Sequence, residues 1–335
     1  GVDIFFVISG YLITSIIYKE LITTKKFSII KFYERRVRRI VPPLLLVCFS
    51  SLILGYIFLF PREFIDLSIS TITMLGFVSN YYFYQTGLEY GAIDTLLIPL
   101  LHTWSLSVEE QYYILIPFII LAIYKFSKKN FFLIFFLIFT SSIIFSQIGS
   151  LKFPQFNFYF LGSRAWELSV GSLLAFFNFK KKNSYLLLKY NYFPFIGILL
   201  ILFSFIKLDN NYSQHPSMLT LIPIIGTCLI ILFASKDEII TKILSSKFFV
   251  SIGLISYSLY LWHYPVFAFL RTGNILDVNI YIKILSGLLI LFLSILTYFL
   301  IEKPSRNNKN SFKKIMTLIF TSIILILITC FLIIK

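Results

Sequence analysis

Two adjacent carboxylates, Glu109 and Glu110, stand in the run His102-Thr103-Trp104-Ser105-Leu106-Ser107-Val108-Glu109-Glu110-Gln111-Tyr112-Tyr113, at the mouth of an apolar stretch from Ile114 to Phe126. An ionised Asp or Glu at the centre of a membrane helix costs roughly 2.5–3.5 kcal/mol on insertion scales, so such residues usually face a cavity, a partner or a substrate. Two readings are open. The pair sits at interfacial depth and favours the N-terminus of its helix through the dipole, or it handles something polar together with His102, Ser105 and Ser107.

Three further segments carry chemistry. Arg35, Arg36, Arg38 and Arg39 fall within Phe32–Pro43. On a helix Arg35, Arg38 and Arg39 share one side, and Arg36 joins Arg39 at i,i+3. Guanidinium forks match phosphate oxygens bidentately, which lysine cannot do, so the cluster is either a plain stop-transfer signal or a site for a phosphorylated cytosolic cofactor. Arg164 and Glu167, again i,i+3, can pair, which lowers the cost of placing either near lipid, and Gly171 lets a neighbouring backbone approach closely. In Ser256–Pro265, His263 lies about 13 residues from one end of its span, ~20 Å up a ~30 Å core. It occupies either an aromatic-belt position between Trp262 and Tyr264 or the wall of a cavity beside a Pro-bent helix. His215, before Pro216, is expected in a solvated loop, and Pro304 is expected to end the span that reaches Glu302.

The elements that must position these residues are membrane helices. The chain is 58% hydrophobic and 13% charged, with a mean hydropathy of +0.87, whereas soluble domains are about half apolar and a quarter charged. In lipid, helices satisfy their own backbone. The formal charge of +15 does not mark a nucleic-acid binder, because the basic residues lie between apolar runs, where they act as topology signals and contacts to anionic lipid. Cys48, Cys228 and Cys330 sit in apolar runs without metal-ligand spacing, so they read as small core residues and no metal is expected.

Runs long enough to span, about 17–25 residues with their flanks, centre on 3–18, 42–60, 105–124, 131–147, 163–178, 192–207, 219–234, 250–271, 280–300 and 313–334. Segments 19–41, 125–130, 178–191, 235–249 and 302–314 hold 8, 3, 4, 3 and 5 Lys or Arg, 23 of the chain's 30, and are cytoplasmic under the positive-inside rule. An even number of crossings then separates 19–41 from 125–130. The weaker run 64–84 is therefore expected to be re-entrant or interfacial on the outer side, with 61–104 roofing a cavity. The expected fold is an all-α polytopic bundle of about ten spans, with both ends outside.

At these residues the chain resembles the acyltransferase-3 family of bacterial membrane O-acyltransferases. The resemblance is carried by Gly1–Thr14 (GVDIFFVISGYLIT), Phe32–Pro43, His102–Tyr113, Arg164–Ala175, Ser256–Pro265 and the ending Glu302-x-Pro304-x-Arg306, six segments in order. It implies a membrane acyltransferase domain over 1–306, followed by a cytoplasmic linker and a final helix over 307–335. It implies multi-pass insertion in the bacterial inner membrane, and transfer of an acyl group, usually acetyl, from cytosolic acetyl-CoA to a hydroxyl of a surface glycan or lipid-linked saccharide outside. It also implies that Arg36 and Arg39 serve the CoA side. Family members carry an Arg and the proposed catalytic His on a helix before the Gly1–Thr14 segment. Starting at Gly1, this chain is expected to lack that helix and to be inactive alone, and some members continue past the last helix into an outer SGNH domain.

The expected mechanism is a transmembrane acyl relay. Acyl-CoA docks its phosphates on Arg35, Arg36, Arg38 and Arg39, and the acceptor hydroxyl enters from outside near His102, Glu109, Glu110, Arg164 and His263. A positioned base takes the hydroxyl proton, and donors or cations stabilise the developing oxyanion. The rival class is a proton-coupled transporter or glycolipid flippase using intramembrane Glu and His, although no inverted halves with Gly/Pro-broken helices are visible. A binding or scaffold protein is the third.

Overall fold

The computed structural model describes residues 1–88, 94–126, 130–180, 192–207, 215–235, 238–273, 275, 279–307 and 310–335. Its helices are α1 (Val2–Thr24), α2 (Ile29–Phe58), α3 (Pro61–Leu75), α4 (Ser79–Thr86), α5 (Thr103–Phe126), α6 (Phe131–Lys152), α7 (Pro154–Tyr159), α8 (Leu161–Lys180), α9 (Phe193–Lys207), α10 (Leu221–Phe233), α11 (Ile239–Leu244), α12 (Lys247–Thr272), α13 (Ile280–Thr297), α14 (Lys303–Arg306) and α15 (Phe312–Ile334). Among the described residues there is no strand. The protein is an all-α, polytopic membrane protein.

Each of the ten expected runs falls on a helix. Among the described residues six stretches are long and apolar enough to cross a membrane: α1, α2, α5, α6, Ile280–Arg306 and α15. Shorter apolar helices cover Phe193–Lys207 and Met218–Phe233, while α8 and α12 are long but carry more polar side chains. In the weaker run, α3 has 15 residues, about 23 Å at 1.5 Å per residue, which is short of a ~30 Å core. Gly76 closes α3, Phe77 turns the chain at φ 53°, and α4 follows. The lysines of 127–129 and 181–191, which carried part of the charge count, lie outside the described residues.

Segment 19–41 is mostly helix: α1 runs to Thr24, Lys25 reverses the chain in the left-handed region, and Ser28 caps α2 by accepting from the Lys31 N–H. Pro42 and Pro43 lie inside α2 and leave the Arg38 and Arg39 carbonyls without their i+4 donors. Pro304 does not end its helix. A π-turn over Tyr298–Glu302 precedes it, Pro304 takes a first-turn position of α14, and the helix stops at Arg306, because a first-turn residue needs no N–H.

The chain forms two compact units. One comprises 1–27 and 108–249, the other 28–107 and 250–335. In the first, α1 lies so close to α8 that a Cβ on Gly171 would stand 2.1 Å from the Val7 carbonyl oxygen, and one on Gly10 1.9 Å from that of Leu168. Small residues permit this approach in membranes. Trp166 and Val7 pack with Ile143, Leu174 and Ile224 around it. In the second unit, α15 packs on α2 and α3, and Cys48 contacts the Met74 thioether.

Candidate functional site

In the first unit the polar side chains of α1, α5 and α8 converge. Arg164 is only 2% exposed, and its Nη1 stands 3.0 Å from both Asp3 Oδ1 and Glu167 Oε1. Its Nε donates to the Phe158 carbonyl at 3.3 Å and its plane lies over the Phe158 ring. One cation thus faces two carboxylates. Glu167 is fully buried, and among the described residues its Oε2 has no hydrogen-bond partner. Glu109, also buried, accepts from the Ser9 and Tyr113 hydroxyls. Deeper along the same helices the Ser172 hydroxyl meets Thr14 Oγ1 at 2.7 Å and the Tyr112 hydroxyl at 2.8 Å. Glu110 is buried as well. Because α5 begins at Thr103, both glutamates lie about two turns inside it, beyond the reach of the N-terminal dipole. The dipole reading of the pair therefore falls.

His215, expected in solvent, is half-buried, with Nδ1 3.1 Å from Thr220 Oγ1. The segment holding it is pinned by Asn157 and Ser146, which donate to the Pro216 carbonyl at 2.9 and 3.0 Å. Burial lowers the His215 pKa below the usual histidine range, with Asp3 pulling it up and Arg164 pulling it down.

In the second unit His102 and His263 come together, their ring centroids 5.3 Å apart. His102 stacks on Tyr264 and meets the edge of Tyr260. Tyr260 donates its hydroxyl to the His102 carbonyl at 2.6 Å and meets Ser105 Oγ at 2.9 Å, while Tyr264 donates to the Thr95 carbonyl at 2.8 Å. Pro265 offers no N–H to the Leu261 carbonyl, and that carbonyl is the backbone acceptor His102 senses. Among the described residues no hydrogen bond of ordinary geometry reaches either His102 nitrogen. Burial, reinforced by His263, pushes the His102 pKa well below the histidine range. Trp262 is buried and donates to Thr297 Oγ1 at 2.8 Å, so it is no belt anchor, whereas His263 keeps partial exposure.

The arginines of α2 part company. Arg35 is exposed, Arg36 and Arg39 are partly so, and Arg38 is buried. Arg36 lies over the Phe32 ring. Arg39 acts on Glu302, which accepts from Ser258 Oγ at 3.0 Å and Arg306 Nη1 at 3.3 Å.

Sequence reasoning did not single out Asp3, Ser9, Tyr113, Tyr260 or Glu302 as site residues. Asp3 and Glu302 did carry a signal, a carboxylate next to or inside an apolar run. Ser9 and Tyr260 carried none, since hydroxyls are common in such helices.

The model of the family described as "Acyltransferase domain", acyltransferase-3, matches residues 1–303. The chain is 31% identical over 326 residues to "O-acetyltransferase OatA" of Staphylococcus aureus (strain NCTC 8325 / PS 47), covering 93% of this chain and 53% of that protein. It is 37% identical over 248 residues to a protein of Haemophilus influenzae that has no functional name, covering 71% of this chain and 99% of that one. The chain thus spans about half the length of its Staphylococcus relative. No solved structure matches it. On this match, across nearly its whole length, the chain belongs to the acyltransferase-3 family.

Proposed function

We propose that this chain is the membrane part of an O-acyltransferase of the bacterial cytoplasmic membrane. It takes an acetyl group from cytosolic acetyl-CoA and delivers it to a hydroxyl of a surface glycan or lipid-linked saccharide on the other side. The observation that carries the reading is Glu109, a buried carboxylate held by hydroxyl donors in a chain of this family. A carboxylate arranged to accept O–H groups is suited to an acceptor hydroxyl.

In the reaction the acceptor oxygen bonds to the thioester carbonyl carbon, the hydroxyl proton goes to a base, the C–S bond breaks, and the base returns that proton to the sulfur so that CoA leaves as the thiol. Arg36 and Arg39 hold the donor phosphates. Glu109, Glu110, His102 and His263 are the candidates for moving the proton. Arg164, tied to Asp3 and Glu167, fixes α1 against α8 and orders the acceptor side.

The test compares O-acetyl groups on total surface polysaccharide in cells with and without the intact gene, after labelling through acetyl-CoA. The expected result is loss of labelled O-acetyl groups from one polysaccharide in the deletion. Unchanged acetylation together with accumulation of an unexported saccharide lipid would contradict it and favour a flippase.

A further inference from the structure

Arg38 is 4% exposed, on a helix whose other three arginines keep accessible surface. Its donors are engaged. Nε and Nη2 each stand 2.9 Å from Glu34 Oε1. Nη1 and Nη2 reach the Asn310 carbonyl at 3.2 and 3.1 Å, and the Ser305 and Asn307 carbonyls lie 3.4 and 3.5 Å from Nη1. The guanidinium also lies over the Phe312 ring, 5.2 Å from its centroid. These carbonyls surround the C-terminus of α14, where a helix leaves C=O groups unsatisfied and its dipole favours a cation. A lysine ammonium cannot span them as a rigid fork does. Arg38 is therefore a clasp on the segment joining α14 to α15, and a phosphate could bind it only by breaking that clasp. The expectation that all four arginines of α2 dock the donor does not fit this geometry.

The clasp holds Arg306, the last residue of α14. Arg306 gives one N–H to Glu302, and its side chain is 40% exposed. Glu302 is buried, and Arg39 acts on the same carboxylate. Arg306 pairs with that carboxylate at 3.3 Å, and Arg39 adds positive charge in its neighbourhood. Arg306 retains further donors, since a guanidinium carries five N–H groups. The π-turn immediately before α14, over Tyr298–Glu302, is a rare conformation frequent at functional sites.

We infer that Arg306 is a second arm of the phosphate-binding site that Arg36 and Arg39 begin, and that Arg38 is the positioning residue that holds it there. The ligand class is a phosphate-bearing molecule. The inference rests on the reading that Arg36 and Arg39 serve acyl-CoA. An anionic lipid headgroup offers the same chemistry.

The experiment measures binding of CoA to the full-length protein in nanodiscs of neutral lipid and of lipid with anionic headgroups, together with hydrogen exchange over Lys303–Phe312. R306Q is expected to weaken CoA binding roughly tenfold or more, the loss of a charge-assisted contact, in both lipids and without a change in exchange. R38A and R38K are both expected to weaken CoA binding and to speed exchange of the segment. Restoration of both readouts by R38K would overturn the clasp. R306Q binding CoA like the unaltered protein, or losing affinity only in anionic lipid, would overturn the second arm, and this variant keeps the test decisive if the Arg38 variants fail to fold. R36A/R39A separates the two levels. If it weakens CoA binding and R306Q does not, the second arm alone falls; if neither weakens it, the donor site falls as well.

Discussion

Among the described residues each unit buries one arginine, and the two are satisfied in opposite ways. Arg164 faces two carboxylates, Asp3 and Glu167, from two helices, whereas Arg38 has one carboxylate, Glu34, and completes its shell with backbone carbonyls. Glu167 is fully buried, but Glu34 keeps 28% of its side-chain surface. Removing Arg164 strands like charges in an apolar bundle. Removing Arg38 strands neutral carbonyls and an acid that water already reaches. The first arginine is thus an ionic lock between α1 and α8, and the second a helix cap with a long reach.

The comparison breaks first at Arg164. Arg164→Ala is expected to destabilise the protein by about 3–5 kcal/mol, the cost of breaking a buried ion pair, read as a lower thermal midpoint in detergent. Adding Asp3→Asn and Glu167→Gln in the same chain should recover part of that loss, because the stranded charges go with them. No recovery would mean that Arg164 acts by packing on Phe158 alone.

Arg38→Ala should cost less, about 1.5–3 kcal/mol for hydrogen bonds to a charged group, and neutralising Glu34 in addition should recover little. A loss equal to that of Arg164→Ala would erase the distinction between lock and cap. Arg36→Ala with Arg39→Ala should leave the midpoint nearly unchanged, since both side chains keep exposure, yet raise the apparent Michaelis constant for acetyl-CoA at least ~10-fold. An unaltered constant in the folded double variant would reduce that pair to a topology signal.

The smallest effect belongs to His215, whose folded pKa is lowered. The unfolded chain binds a proton near pH ~6.5 while the folded one does so only at lower pH, so stability is full above that value and falls as the pH drops below it. His215→Gln should flatten this acid limb of the stability profile and leave the alkaline side untouched. An unchanged slope would place the titration elsewhere.

Much of this architecture was legible in the amino-acid sequence. Apolar runs located ten of the helices, because length and hydropathy act locally, and the weaker run 64–84 falls on α3 and α4, each too short for a full span. The requirement for small residues between helices pointed to Gly171. The pairing of Arg164 with Asp3, 161 positions apart, was not legible, because the Arg164–Glu167 spacing already offered a sufficient partner. The clasp of Arg38 was hidden for another reason: its acceptors are backbone carbonyls, which every residue has. Pro304 misled because a π-turn placed it in a first turn, and nothing in the residue types announces that. His215 was read as solvated from its polar neighbours, but the carbonyl that pins its segment belongs to Pro216 and its partners to α6 and α7.

The central claim is transfer across the membrane, with the donor on the arginine-rich side of α2 and the acceptor on the other. The most direct test reconstitutes the full-length protein in proteoliposomes, supplies labelled acetyl-CoA on one side only and an acceptor saccharide on the other, and orients the protein by protease protection of the Arg35–Arg39 segment. Labelled saccharide should form only when acetyl-CoA is on the side where that segment is cleavable. Label that forms only when donor and acceptor share a side would contradict the account.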